Sequence, residues 1–346
     1  MPREHLDMED KSKTVARKTL RCRVCGSDDS HKTYFAKEMM YGTREIFAYF
    51  QCSECGCLQI LETPPDMSAY YPSDYYSYAL PQQPISRAPA IRRTLEKWIA
   101  RQFLFNRGYK QAKLASQFVK PPPELFRVDQ LLRHCQITSF QASFLDVGCG
   151  AQSWWLNDLQ ALGFKNLVGV DPFVNSNQDR DNISIRRGSL ESIREKFDVI
   201  SMHHSLEHTP DQLATLTAAR QLLNRGGCCL VRIPLVSSLA WDKYGTNWAE
   251  LDAPRHLFLH STRSIELAGQ RAGLTLHYSF WDSDSFEFWG SEQYVRDIPL
   301  KSPNSFAVNP DNSDFTYKEM AAYRDTAIQV NKDGRGGRGV FYFFAN

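Results

Sequence analysis

The chain of 346 residues is long enough for about two domains, and its 42% hydrophobic and 23% charged residues exclude wholesale disorder. The 41 Lys and Arg residues against 39 Asp and Glu residues leave a net charge of +2, which is not the basic field of a general nucleic-acid binder. No apolar run reaches the ~20 residues that span a bilayer, and the charged N-terminus carries no secretory signal. We therefore expect a cytoplasmic protein with a small-molecule substrate and no nucleic-acid partner.

Composition and spacing divide the chain into four segments. Residues 1–20 are a polar tail, and residues 21–78 hold two cysteine pairs and a Tyr-rich arm. Residues 79–120 combine a Pro-containing linker with an amphipathic helix, and residues 121–346 have the alternating pattern of an α/β domain. The 91–120 part carries eight Lys and Arg residues against one Glu. It is interpreted as a solvated helix face, with weak contact to an anionic membrane surface as the alternative.

Two CxxCG motifs lie in the first compact segment, and they contain Cys22, Cys25, Cys52 and Cys55. Each motif lets two thiolates wrap one side of a tetrahedral ion, and the glycine permits the tight turn that follows. Because cytosolic cysteines stay reduced, the spacing predicts a metal site and not two disulfides. The pattern indicates a small zinc ribbon in which the ion is structural; iron is the alternative metal.

The C-terminal segment alternates short apolar runs with helical periodicity, which predicts βαβ units and a mostly parallel sheet. Strands are predicted at 143–147, 166–170, 183–187, 197–202, 228–233, 274–281 and 339–344. Helices are predicted at 154–162, 211–223, 262–272 and 315–330. The fold class expected is therefore α/β, with a Rossmann-like sheet of seven strands beside the small N-terminal zinc ribbon.

Two of these strands end in residues suited to a nucleoside ligand. The first is followed by Asp146, Gly148 and Gly150, where glycines let a ligand approach the backbone and the next helix presents free N–H groups. The second ends in Asp171, a carboxylate that can accept both hydroxyls of a ribose. The loop lacks the third glycine of a GxGxxG motif, which makes NAD the weaker candidate.

Taken in order, Asp-x-Gly-x-Gly, the strand-end acid, FDVI with LEH, and LLxxGG resemble class I S-adenosylmethionine-dependent methyltransferases over roughly residues 142–282. The resemblance implies a methyltransferase domain over 121–346 and S-adenosylmethionine as its cofactor. It implies the cofactor-binding residues Asp146, Gly148, Gly150, Asp171, Ser189, Leu190 and His204. Gln152 stands where the family commonly has a third glycine.

The N-terminal segment resembles the zinc-binding region of bacterial methyltransferases that act on sugars and surface polysaccharides. The resemblance lies in the CxxCG pairs, in KEMMYG at 37–42 and in the Tyr-rich stretch at 70–77. It implies methyl transfer to a hydroxyl of a sugar, a sugar nucleotide or a polysaccharide precursor. The alternatives are a C- or N-methyltransferase of another metabolite, and a catalytically degenerate binding module.

Two histidines are candidates for the base that takes the proton of the methyl acceptor. His208 follows the fourth strand together with Glu207, and His256 lies in a Pro-Arg-His loop after the fifth strand. Arg255 of that loop is a candidate clamp for an anionic group of the substrate. The spacing of His204, Glu207 and His208 leaves a divalent-ion site as an alternative.

Overall fold

The structure is a computed structural model that describes residues 20–72, 90–105 and 123–345. Two β-sheets organise these residues, one of four strands and one of eight. Four predicted parts lie outside the described residues: the tail as far as residue 19, the Tyr-rich arm from residue 73 to 78, the linker at 79–89 and the part of the basic segment at 106–120. Among the residues described, no helix combines the length and the apolar character needed to cross a membrane.

The four-stranded sheet is built mainly from the N-terminal segment. Its strands, in spatial order, are β1 (Lys32–Lys37), β2 (Ile46–Gln51), β3 (Leu58–Ile60) and β10 (Phe258–Leu259). The last strand belongs to the C-terminal segment and pairs antiparallel with β3, with Leu259 opposite Leu58. Backbone pairing therefore joins the segment that carries the cysteines to the segment that carries the α/β sheet.

The eight-stranded sheet is the centre of the C-terminal segment. Its strands are β4 (Ser143–Val147), β5 (Asn166–Asp171), β6 (Gln178–Arg180), β7 (Ile183–Arg187), β8 (Phe197–His203), β9 (Leu223–Pro234), β11 (Leu274–Trp281) and β12 (Arg338–Ala345). Their spatial order is β11-β12-β9-β8-β4-β5-β7-β6. The five strands from β9 to β7 are parallel, while β6, β12 and β11 pair antiparallel with their neighbours.

The predicted α/β fold with a mostly parallel sheet is confirmed, and each of the seven predicted strands is present. The structure adds β6, a three-residue strand on the sheet edge. Its sequence, Gln-Asp-Arg, has no apolar residue, so hydrophobic periodicity gave no signal for it. Strand β9 begins at Leu223, five residues before the predicted start at 228.

Helices cover the sheet and connect its parallel strands. They are α1 (Ala90–Leu104), α2 (Pro123–Leu132), α3 (Trp154–Leu162), α4 (Gln212–Leu222), α5 (Leu239–Tyr244), α6 (Thr262–Arg271), α7 (Phe286–Val295) and α8 (Tyr317–Lys332). Helix α3 matches its prediction because its signals are local. Ser153 caps its first turn by accepting from the Leu156 N–H, and Gly163 ends it in the left-handed conformation.

One hydrophobic core runs through both sheets. Cys22, Tyr49 and Leu58 of the N-terminal segment pack in the same buried cluster as Phe258 and Ile265 of the C-terminal segment. A second cluster lies beneath α3 around Phe144 and Trp155. Because the first cluster is shared, the N-terminal segment is packed directly against the end of the large sheet where β8 and β9 finish.

Candidate active site

The loop between β4 and α3 contains the predicted cofactor glycines. Gly148 and Gly150 have φ of +71° and +62°, a region that glycine enters at low cost. A Cβ atom on Gly148 would lie 2.5 Å from the Cβ of Ser205, so a larger residue does not fit there. The sequence thus places glycine where the chain turns sharply at the carboxyl end of β4.

Asp146 is buried beneath this loop. Its Oδ2 accepts a hydrogen bond of 2.6 Å from Ser153 Oγ, and its Oδ1 accepts one of 2.9 Å from Ser201 Oγ. Burial raises the pKa of Asp146 to about 7, against the effect of the two serine hydroxyls. The Asp146 side chain therefore links β4 to β8 and to the first turn of α3, and these links stabilise the loop between β4 and α3.

Asp171 lies at the end of β5, next to the glycine loop. Its Oδ2 accepts from the Gly150 N–H at 2.9 Å, and its Oδ1 accepts from the Phe173 N–H at 2.8 Å. These bonds fix the carboxylate at the sheet edge and leave further lone pairs for two ligand hydroxyls. Ser189 is exposed beyond the neighbouring strand β7, whereas the Leu190 side chain is only 3% exposed and packs in the core.

A second cluster lies at the same edge of the sheet, beyond the end of β8. Glu207 and His208 belong to a short 3-10 turn, Leu206–His208, and His256 comes from the loop before β10. The ring centroids of the two histidines are 4.7 Å apart. His256 Nε2 lies 4.0 Å from Glu207 Oε1, and His204 Nδ1 lies 3.4 Å from the same oxygen.

Backbone carbonyls orient both catalytic candidates. His208 Nδ1 lies 2.9 Å from the carbonyl oxygen of Arg255, and His256 Nδ1 lies 2.8 Å from that of Glu250. A carbonyl only accepts, so Nδ1 of each ring is the donor and Nε2 of each neutral ring keeps a lone pair. The structure therefore brings together the two histidines that the sequence places 48 residues apart.

Burial dominates the electrostatics of this cluster. It lowers the pKa of His208 to about 3 and also lowers the pKa of His256. It raises the pKa of Glu207 to about 8, and Glu250 nearby is raised to about 7 for the same reason. Removal from water disfavours every charged form, so the cluster holds neutral imidazoles beside weakly acidic carboxyls.

Arg255 is the centre of a buried ion network. Its side chain is 0% exposed and donates to Asp252 Oδ1 at 2.6 Å and to Glu38 Oε1 at 2.8 Å. It also donates to the Tyr70 carbonyl oxygen at 3.2 Å. These contacts occupy the guanidinium and disfavour the expected role of Arg255 as a substrate clamp. They fix the loop that carries His256.

The N-terminal segment contributes further contacts to the same loop. Tyr49 Oη donates to the carbonyl oxygen of His256 at 2.9 Å, and Tyr71 Oη lies 3.1 Å from His208 Nδ1. Sequence reasoning missed Glu38, Tyr49 and Tyr71 as site residues. Glu38 and Tyr71 lie within stretches that carried the resemblance, but their partners are more than 130 residues away in the chain.

The four cysteines converge as their spacing predicts. The Sγ atoms of Cys22 and Cys55 are 3.6 Å apart, and those of Cys25 and Cys52 are 3.5 Å apart. All four Sγ atoms lie within 4.8 Å of one another. Four thiolates at about 2.3 Å from a tetrahedral zinc ion are separated by roughly these distances, so the donor set fits the ion. The cluster also contacts the catalytic segment, because Ser261 Oγ donates to the Cys55 carbonyl oxygen at 2.5 Å.

The fold and the glycine loop with its strand-end acid define a class I S-adenosylmethionine-dependent methyltransferase. A comparison with protein families agrees: the family described as a methyltransferase domain matches residues 91–279. This match covers more than half of the chain, and the chain belongs to that family. A comparison with the curated proteins gives no match.

Solved structures similar to this chain include further methyltransferases. An S-adenosylmethionine-dependent methyltransferase from Mesorhizobium loti is 14% identical, with 61% of this chain and 94% of that chain covered and a TM-score of 0.39. The cyclopropane synthase MmaA2 from Mycobacterium tuberculosis is 17% identical, with coverage of 63% and 82% and a TM-score of 0.39. At these scores the family assignment depends on the domain match.

The ion network makes a stability prediction. Glu38→Gln removes one of the two carboxylates that face the buried Arg255, so we expect a loss of about 3 kcal/mol in the free energy of unfolding, measured by urea denaturation. The matched control is Asp242→Asn, which breaks an exposed ion pair with Arg335 and is expected to cost less than about 1 kcal/mol. Equal losses in the two variants would contradict a structural role for Glu38.

Proposed function

We propose that this methyltransferase transfers the methyl group of S-adenosylmethionine to a hydroxyl of a sugar, a sugar nucleotide or a polysaccharide precursor. The observation that carries the proposal is the pair of adjacent imidazoles, half-buried His208 and buried His256, whose Nδ1 atoms are fixed by backbone carbonyls. Each ring then has an Nε2 lone pair at the sheet edge that also holds Asp171. A hydroxyl needs such a base, because it must lose its proton to become a good nucleophile.

The cofactor site is proposed to comprise Gly148, Gly150 and Asp171 together with the backbone at Ser189 and Leu190. S-adenosylmethionine, when bound, supplies an electrophilic methyl group. The loop glycines have no side chain, so the cofactor can lie close to the backbone of the loop. Asp171 accepts hydrogen bonds from the ribose hydroxyls. Asp146 keeps the loop in place through Ser153 and Ser201. His204, whose Nδ1 lies 3.4 Å from Glu207 Oε1, is proposed to contact the cofactor from the end of β8.

Several features support a polyhydroxylated acceptor. Glu207 is 1% exposed, and its carboxylate oxygens have no hydrogen-bond partner in residues 20–72, 90–105 and 123–345, so both can accept from substrate hydroxyls. The Tyr71 and Phe173 rings stack with centroids 6.0 Å apart, and Phe173 is 63% exposed. An aromatic surface next to unpartnered acceptors suits the apolar face and the hydroxyls of a sugar ring. By contrast, Trp155 and Trp248 are buried in the core.

An amine acceptor is a second candidate because acidic side chains surround the histidines. Asp252 Oδ2 lies 3.9 Å from His256 Nε2, and the neighbouring Arg255 lowers the pKa of this carboxyl, so it stays ionised and favours a cationic group. The degenerate binding module is the remaining alternative. The atom that receives the methyl group distinguishes the first two candidates, and the absence of turnover by a folded protein that binds cofactor would favour the third.

The Cys22, Cys25, Cys52 and Cys55 cluster is proposed to hold a structural zinc ion. All four positions are taken by protein thiolates, so the shell is closed and leaves no site for substrate. The backbone N–H groups of Cys25 and Cys55 point to the sulfurs of Cys22 and Cys52 at 3.4 and 3.5 Å, as donors to thiolates do. None of the nine cysteines is in a disulfide, so the four thiols of the cluster are available as ligands.

Cofactor binding is tested by calorimetric titration with S-adenosylmethionine and S-adenosylhomocysteine. We expect micromolar binding, and we expect Asp171→Asn to weaken it at least about tenfold because one ribose acceptor becomes an amide donor. Asp179→Asn, an exposed acid on the edge strand β6, is the matched control and is expected to bind normally. No binding by the folded wild-type protein would overturn the cofactor assignment.

Acceptor chemistry is tested with nucleotide-linked sugars and a cofactor whose methyl group carries ¹³C. We expect an O-methyl product by NMR, and we expect His208→Ala and His256→Ala to lower kcat by up to about 10²- to 10⁴-fold with unchanged affinity for S-adenosylhomocysteine. The exposed His277 is the control, and His277→Ala should keep full turnover. A methyl group on nitrogen or carbon would reject the hydroxyl assignment.

Zinc content is tested by elemental analysis of the purified chain. We expect about one equivalent of zinc bound to the cysteine cluster, and Cys22→Ser or Cys52→Ser should lose the zinc and lower the melting temperature. Cys57→Ser is the control, because Cys57 is buried outside the cluster and should leave the zinc in place. Less than about half an equivalent in the wild-type protein would contradict the zinc assignment.

A further inference from the structure

We propose that His208, His256 and Glu207 form a second metal site, which binds a divalent first-row transition cation such as Mn²⁺, Fe²⁺ or Zn²⁺. Each of the three side chains offers one ligand atom, and these atoms all lie within 4.8 Å of one another. Two imidazoles and one carboxylate that leave open positions are a donor set for such cations. The sequence suggested His204 as the third ligand, whereas the structure selects His256 from a different loop.

The arrangement of the two imidazoles supports coordination of one ion. Metal-bound histidines characteristically donate their other ring N–H to a carbonyl or a carboxylate, which fixes the ring. Here the Nδ1 atoms of both rings lie within 2.9 Å of backbone carbonyl oxygens. Two rings bound to one ion at about 2.1 Å, with a ligand angle of about 90 to 110°, have centroids about 4.5 to 5.2 Å apart. The observed separation is 4.7 Å, with an interplanar angle of 67°.

Glu207 gives the second, independent observation. Its side chain is 1% exposed, and within the described part of the chain neither carboxylate oxygen has a hydrogen-bond partner, although His204 Nδ1 lies 3.4 Å from Oε1. An unpartnered buried carboxyl is costly, so its retention indicates a ligand that completes it. Its Oε1 lies 4.0 Å from His256 Nε2, which is too long for a hydrogen bond and leaves space for an ion to draw the two atoms together.

A further carboxylate adds negative charge to the site. Asp252 Oδ2 lies 3.9 Å from His256 Nε2, although this acid is also paired with Arg255. The site differs from the cysteine cluster in its donor atoms: nitrogen and oxygen suit Mn²⁺ and Fe²⁺, whereas four thiolates select zinc. The two sites can therefore be loaded and measured separately.

A cation at this position would hold the acceptor oxygen in an open coordination position and lower its pKa. This role rests on the proposed function, because it assumes a hydroxyl acceptor. An ion would use both Nε2 lone pairs as ligands, so the imidazoles would not act as the free base while it is bound; the metal-bound hydroxyl would instead release its proton to solvent, as metal-bound water does near neutral pH. Binding of the ion and transfer of the methyl group are measured by different experiments, so either can fail without the other.

The test uses the full chain with its zinc in place, titrated with Mn²⁺ and followed by electron paramagnetic resonance. We expect one Mn²⁺ to bind per chain, with ¹⁴N couplings from two imidazoles in pulsed spectra. Glu207→Gln and His256→Gln should each weaken Mn²⁺ binding at least about tenfold, while S-adenosylhomocysteine binding shows that the variants are folded. His277→Ala is the matched control outside the cluster and should bind Mn²⁺ normally.

The outcomes separate the metal site from the methyl-transfer proposal. Absence of bound Mn²⁺, absence of nitrogen couplings, or Mn²⁺ binding that survives Glu207→Gln would overturn the metal site. Full methyl transfer by a chain that retains its cysteine-bound zinc but has been freed of other metal would overturn the catalytic role of the ion and leave the proposed acceptor intact. Loss of transfer on that treatment, restored by Mn²⁺, is the result expected.

Discussion

The candidate active site is held in place by the buried guanidinium of Arg255. Arg255 and Glu38 are both fully buried, so their charges are stable only as partners of each other and of Asp252. The backbone carbonyl of Arg255 accepts from His208, and the next residue in the chain is His256. The ion network therefore fixes both imidazoles. Moving Arg255 would displace its own carbonyl group, which orients His208, and would also displace the adjacent residue, His256.

This network explains why the cysteine-containing segment is part of the site and not an appended module. Glu38 and Tyr49 belong to the N-terminal sheet, yet they contact Arg255 and the His256 carbonyl. Strand β10 extends that same sheet directly after the His256 loop. A unit this small has too little core to be rigid alone, so an ion at the four cysteines would stiffen the sheet and, through it, the loop. The cysteine-containing segment and the loop that carries His256 are thus packed together as one unit.

The sequence was informative where the signal is local. Asp146 lies near the end of a buried strand, and Gly148 and Gly150 lie in the short turn before a capped helix. In the same way, the spacing within each CxxCG pair is enough to predict that its two thiols lie side by side. The Glu38–Arg255 contact joins residues 217 positions apart, and a single sequence gives no measure of such pairing. The same reason applies to Arg255: a lone arginine in a loop predicts a clamp for the substrate, and its buried contacts with Glu38 and Asp252 arise only from the fold. Likewise, the polar edge strand β6 has no periodicity from which to predict it.

One buried carboxyl at the edge of the sheet bears directly on function. Asp146 accepts from two serines, whereas neither carboxylate oxygen of Glu207 has a hydrogen-bond partner among the described residues. Leaving a polar group buried and unpartnered costs about 1–3 kcal/mol, and a ligand that satisfies it recovers that free energy on binding. If the ligand's contacts with the Glu207 carboxyl are stronger in the transition state than in the ground state, the same free energy lowers the barrier to methyl transfer. In the proposed site, acceptor hydroxyls and a divalent cation would both use the two oxygens of Glu207, so the ligand that binds there decides how the acceptor is held.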